Sequence, residues 1–159
     1  MLGYNSEVFN ALKYLHILAA MTWLGTQVYL QVTATRLARA NDPERMAAFA
    51  KDAEYTGTHL IMPATILLLL MGISMVAYSP VYAFTDTWIL LAFAGFAATF
   101  VTGAFVIGPA SGKIGKLLEA EGPASPEAQA LFKRIFAVSR VDLAVLLLVV
   151  ADMVFKPGT

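Results

Sequence analysis

The sequence has no cysteine. Disulfides, iron–sulfur clusters and thiolate metal sites are therefore excluded. Charge is scarce as well. Asp, Glu, Lys and Arg together make 14% of the 159 residues, where a soluble domain carries about a quarter. Basic and acidic residues balance at 11 each, and no basic run interleaves with aromatics. Nucleic-acid binding thus has no support. Histidine occurs only at positions 16 and 59, and no internal repeat or low-complexity tract interrupts the chain. A single domain over residues 1–159 is the simple reading.

What fills the sequence instead is hydrocarbon: 58% of the residues are hydrophobic. Such a balance points to lipid as the solvent, and a spanning helix needs about 20 mostly apolar residues. Four segments qualify, at about 8–34, 60–78, 88–107 and 136–155. The start, MLGYNSEVFN, lacks a basic n-region and is read as part of a retained first helix. Proline cannot continue a regular helix, so Pro80 should close the second span, Pro109 the third and Pro157 the fourth. Asn41-Asp42-Pro43-Glu44 reads as a cap with proline at the first helical position. The amphipathic stretch from there to Gly57 should extend the second helix. Residues 110–129 should form the longest loop, with Gly122-Pro123-Ala124-Ser125-Pro126 a turn followed by a helix start.

Lys and Arg cluster after the first span (Arg36, Arg39, Arg45, Lys51) and between the third and fourth (Lys113, Lys116, Lys133, Arg134), while the 79–87 turn has neither. By the positive-inside rule both termini face outward, with Lys13 and Lys156 snorkelling at the outer interface. The expected fold is all-α, an integral membrane four-helix bundle, N-out/C-out, multi-pass in a bacterial cytoplasmic (inner) membrane. A homodimer is a further expectation.

Polar groups within hydrocarbon are costly, and those that remain usually pair or bind something. Here they are His16, Gln27, Gln31, His59, Arg140, Asp142 and Asp152. His16, Trp23 and Leu30 share one helix face, with Ala20 and Gln27 beside them. In the third span Gly95, Thr99 and Gly103 lie four apart, a spacing that lets helices approach closely. Pro63 takes from the His59 carbonyl its usual intrahelical partner. Arg140 and Asp142, two apart, should reach different neighbours. Asp152 lies at a depth similar to that of His16, which makes the two expected partners.

A buried imidazole without cysteine can ligate haem iron, bind copper or zinc, relay protons, or simply pack with a hydrogen bond. His16 lies twenty residues from Arg36 at the inner end, roughly 30 Å along a helix. His59 lies nineteen residues from Tyr78 at the outer end. The two histidines should therefore serve separate sites. Met71, Met75 and Met153 stand near the His16 level, and a His–Met pair is a legitimate haem or copper ligand set. Near the His59 level, Arg140 could hold propionates.

Several short strings resemble known families. His16-Ile17, Thr22-Trp23 and Tyr29-Leu30 resemble the first helix of the HemJ-type protoporphyrinogen oxidases, small haem b-binding membrane proteins. Ile61-Met62-Pro63-Ala64 with Ile66-Leu67 and Gly72 resembles their second helix, and Lys156-Pro157 their C-terminal end. Leu15-His16 to Trp23-Leu24-Gly25 also resembles the CopD-like copper-resistance membrane proteins. Arg140-Val141-Asp142-Leu143 and Asp152-Met153-Val154 look most like a family of four-helix integral membrane proteins near both. The third span lacks the lysine and histidine expected of the HemJ type, and His59 stands where that family has basic residues before its proline.

The resemblance implies a haem b site with His16 as main ligand and Trp23 and Tyr29 on or near the ring. It implies a job in tetrapyrrole redox chemistry, electron transfer or haem handling, with porphyrin or haem as partner besides the lipid bilayer. The expected cofactor-binding residues are His16, His59, Trp23, Met71 and Arg140, with His16 and His59 as metal ligands. The alternatives are a copper-handling protein using His16, Met71, Met75 and Met153, and a non-catalytic membrane subunit.

Overall fold

The computed structural model describes residues 5–40 and 42–158. The expectations placed on residues 1–4, and on Asn41 within the cap, lie outside these. Among the described residues there is no strand. Helix α1 is Ser6–Ala40. A second continuous helix comprises α2 (Pro43–Thr56), a π-helical turn (Gly57–Ile61) and α3 (Met62–Tyr78). A third comprises α4 (Thr87–Val101), a π-helical turn (Thr102–Ile107) and α5 (Gly108–Glu121). Helix α6 is Pro126–Phe155. Two of these continuous helices, Pro43–Tyr78 and Thr87–Glu121, are long and apolar enough to cross a membrane.

Local chemistry accounts for most of the boundaries. The Asp42 carboxylate accepts from the Arg45 N–H at 3.1 Å and Pro43 opens α2, as a capping side chain and an N1 proline should. Helix α3 ends at Tyr78, two residues before Pro80, as expected. Ser125 caps α6 by accepting from the Ala128 N–H at 3.3 Å, with Pro126 next. Lys156 ends α6 in the left-handed conformation, φ 44°.

Pro109 departs from expectation. It does not close the third span, because the helix runs on to Glu121. The reason lies just upstream. The turn before Pro109 is π-helical, and the Gly108 N–H reaches back to the Gly103 carbonyl. Widening the turn by one residue relieves the ring's clash with the preceding turn and absorbs the missing N–H. Pro63 is accommodated in the same way, by the π turn in which the Met62 N–H bonds the Gly57 carbonyl. The expected long loop at 110–129 is therefore mostly helix, broken only between Glu121 and Pro126.

Packing divides the molecule into two halves. In one, α1 packs chiefly on α3 and α4 on α6, while α3 and α4 scarcely touch. Its core is Ala19, Trp23, Leu68 and Leu146, with Trp23 meeting Phe96 edge-on at 5.7 Å. In the other half, α2 packs on α5 and α5 on α6, around Ala34, Ala50, Ile114 and Phe132. Phe49 meets Phe132 edge-on there, at 6.2 Å. Between the halves lie two polar contacts from α1 to α6. The Gln27 amide donates to Asp142 Oδ2 at 3.1 Å, and the Ser139 hydroxyl donates to Gln31 Oε1 at 3.0 Å.

The glycine stripe of α4 works in part. A Cβ on Gly95 would collide with Val149 Cγ2, so that glycine permits the close approach of α4 and α6. Thr99 is buried beside it and returns its hydroxyl to the Gly95 and Phe96 carbonyls. Gly103 has open space before it.

Candidate functional site

The loose contact between α3 and α4 leaves a cavity of about 520 Å³ lined by α1, α3, α4, α6 and Tyr82. Sites for small molecules and cofactors span about 300–1,000 Å³ and are mostly apolar with a few placed polar groups. This lining fits that description. Leu, Ile, Val, Phe, Met and Ala dominate, and the polar exceptions are Lys13, His16, Tyr82 and Lys156, with the Trp23 and Trp88 indoles. Among the described residues no acidic side chain lines the cavity.

His16 stands in the wall. Its Nδ1 lies 3.0 Å from the Leu68 carbonyl oxygen. A carbonyl only accepts, so Nδ1 carries the proton and, in the neutral ring, Nε2 keeps its lone pair. Metal-ligating histidines are commonly oriented by such a bond from the other ring nitrogen. Gly72 makes room for the ring, since a Cβ there would sit 3.1 Å from His16 Cε1 and 3.4 Å from Nδ1. Trp23 lines the same cavity, about two turns along the same face of α1 from His16.

The other residues singled out in the sequence are dispersed. Met75 and Met153 line the cavity, whereas Met71 does not. Tyr29 is exposed. His59 lies outside the cavity, exposed, with Nδ1 donating to the Tyr55 carbonyl at 3.0 Å and its ring stacked on Tyr55 at 4.2 Å. Arg140 also lies elsewhere and spreads over the Phe136 ring at 4.2 Å. Its neighbour Asp142 is buried against Gln27, so the two do reach different partners. The expected pairing of His16 with Asp152 is absent. His16 has taken the Leu68 carbonyl, and both Asp152 carboxylate oxygens are buried without a hydrogen-bond partner among the described residues. Among those residues no group of three or more His, Cys, Asp or Glu gathers to hold a metal ion.

One feature of the site escaped the sequence reading. Lys156, Tyr82 and Trp88 meet at the end of the cavity where α6 stops. Lys156 Nζ donates to the Tyr82 hydroxyl at 2.6 Å and lies over the Tyr82 and Trp88 rings, at 4.6 and 5.1 Å. The only signal for it was two aromatics bracketing a polar turn and a lysine just past the last span.

An all-helical fold with helices fit to cross a bilayer, enclosing an apolar cavity with one oriented imidazole, defines a helical membrane protein with room for a ligand. Residues 10–157 match the family described as "Predicted integral membrane protein (DUF2269)", and the chain belongs to that family. No curated protein and no solved structure matches it.

Proposed function

We propose that this protein binds haem b in the α1/α3/α4/α6 cavity, with His16 Nε2 as the nitrogen that would hold the iron, and serves tetrapyrrole redox chemistry, electron transfer or haem handling. The observation that carries this reading is the His16 ring itself. It lines a cofactor-sized apolar cavity with Nδ1 already committed to a backbone carbonyl, which leaves the metal-binding nitrogen available. The residues present fit the group: an apolar enclosure for the macrocycle, an imidazole, and the Met75 and Met153 thioethers as further soft donors. Bound there, haem would supply one-electron chemistry, and ligand identity and burial would set its potential. The chain's own part is to hold the imidazole and exclude water. Kinship with the HemJ type and the CopD-like proteins belongs to this proposal.

The same reading sets all four helices across a bacterial inner membrane with both termini outside. It rests on the distribution of Lys and Arg, and it puts the cavity in the outer half and the α2/α5 pair at the cytoplasmic side. A second reading, copper handling, is favoured by one observation: His16, Met75 and Met153 line one cavity, a soft donor set suited to Cu(I).

Visible spectra of purified wild-type protein, alone and after addition of haemin, decide between them. A Soret band that is lost in His16→Ala and kept in His59→Ala supports the haem reading. Stoichiometric copper without a Soret band supports the second. A protein that stays colourless and metal-free when offered either would refute both and leave a non-catalytic membrane subunit.

A further inference from the structure

The helices around the cavity form an open ring. Helix α3 packs on α1, α1 on α6 and α6 on α4, but on the fourth side α3 and α4 scarcely meet. Both ends of the cavity are filled by the chain itself. At one end Trp23 meets Phe96 edge-on beside Leu68 and Leu146. At the other, Tyr82 lies edge-on to Trp88 at 5.2 Å and its hydroxyl accepts from Lys156. What stays open is the side. Leu69 and Val76 of α3 and Ile89 and Phe93 of α4 line the cavity there, and all four are apolar. The helices flanking the gap belong to Pro43–Tyr78 and Thr87–Glu121, the two that are long and apolar enough to cross a membrane. Just outside it, Ile73 and Leu90 are exposed.

We propose that the gap between α3 and α4 is a lateral doorway through which the cavity exchanges its ligand with the hydrocarbon of the bilayer, so that the site is loaded with tetrapyrrole dissolved in the membrane and not from water. This deepens, and rests on, the haem reading. A polar solute entering here would shed its hydration against walls that offer no hydrogen bond, which is costly. An apolar macrocycle would pass from one hydrocarbon surrounding into another. Widening the gap disturbs little packing, because α3 is held by α1 and α4 by α6.

The test bridges the gap. The chain has no cysteine, so an introduced pair of thiols is unique. Ile73 lies four residues after Leu69 and Leu90 follows Ile89, and both lie outside the cavity lining. Full-length protein carrying Ile73→Cys and Leu90→Cys is reconstituted in phosphatidylcholine vesicles, bridged with a bismaleimide that contains a reducible disulfide, and given haemin. With bridging complete by mass, haemin uptake and its release to a haem-scavenging globin should both slow by about tenfold or more, as gated access requires. The final Soret amplitude and the affinity should match wild type, since a doorway alters rates and not the equilibrium; that match also reports a folded protein. Reducing the linker should restore the wild-type rates, and each single variant treated with the reagent should load at the wild-type rate. Unchanged rates in the bridged protein, or a loss of affinity without a loss of rate, would overturn the doorway while leaving the His16 site standing. Haemin uptake by none of the samples, wild type included, would overturn the haem reading and the doorway with it.

Discussion

The two halves of this bundle use the same four helices for opposite ends. Where α2 meets α5 the helices close on a packed core of Ala34, Ala50, Ile114 and Phe132. Where their continuations α3 and α4 run on, they part, and the space between them becomes a cavity of about 520 Å³. Composition alone does not explain the contrast, since both halves are rich in Ala, Leu and Phe. The difference lies in which helices touch. In the closed half the α2 carboxylate Glu54 lies against Gly112 and Gly115 of α5, where a Cβ on Gly112 would come within 3.2 Å of it. In the open half a glycine instead makes room between α4 and α6, where a Cβ on Gly95 would collide with Val149. One half closes on its own side chains and the other leaves a cavity open.

Substitutions should separate the two halves, and on the proposed haem reading the largest effect belongs to the cavity. His16→Ala should abolish haem retention, read as loss of the Soret band, without lowering the thermal unfolding midpoint of the unliganded protein by more than a few degrees. The closed half should behave in reverse. Phe132→Ala removes a buried ring and should cost about 3–5 kcal/mol, seen in denaturant or thermal unfolding, while haem affinity per folded molecule stays near wild type. Comparable losses of both properties in either variant would dissolve the distinction. Gly95→Ala should cost about 1–3 kcal/mol by overpacking against Val149. Gly103→Ala meets open space and should be neutral or slightly stabilising. Ser125→Ala loses the α6 cap for about 1 kcal/mol. Lys113→Ala, which removes an exposed pair with Glu127, should cost under about 1 kcal/mol.

Much of the helical plan was legible because its causes are local. Asp42-Pro43 and Ser125-Pro126 carry their helix starts in two residues each, and Pro80 marks the end of α3 just before it. Pro109 misled for a local reason as well. The rule that proline ends a helix assumes a regular turn ahead of it, and the chain supplies a wider one at 102–107. Gly103 in that turn and Gly108 just after it are a faint signal that could have been weighed. The site was less legible. His16, Trp23 and the methionines were visible as groups out of place or soft donors in hydrocarbon. The partner of His16 was not visible, because it is the backbone oxygen of Leu68, and any residue has one. Asp152 looked like the natural partner by depth, yet depth fixes one coordinate of three. Lys156 was read as a snorkelling cation. Its cage with Tyr82 and Trp88 depends on bringing the end of α6 to the turn before α4, a long-range arrangement that no spacing encodes.

The two wide turns at 57–61 and 102–107 also act as indexing devices. Each holds one residue more than a regular turn, and each residue advances a helix by about 100°. Everything beyond the insertion is thereby dialled round relative to everything before it. Deleting one residue from 57–61 would turn the Leu68 carbonyl and the Gly72 notch away from His16 while leaving α2 seated on α5. The imidazole would then have neither its tether nor its berth, so the seating of His16 is set by a one-residue surplus about two turns away along the second helix.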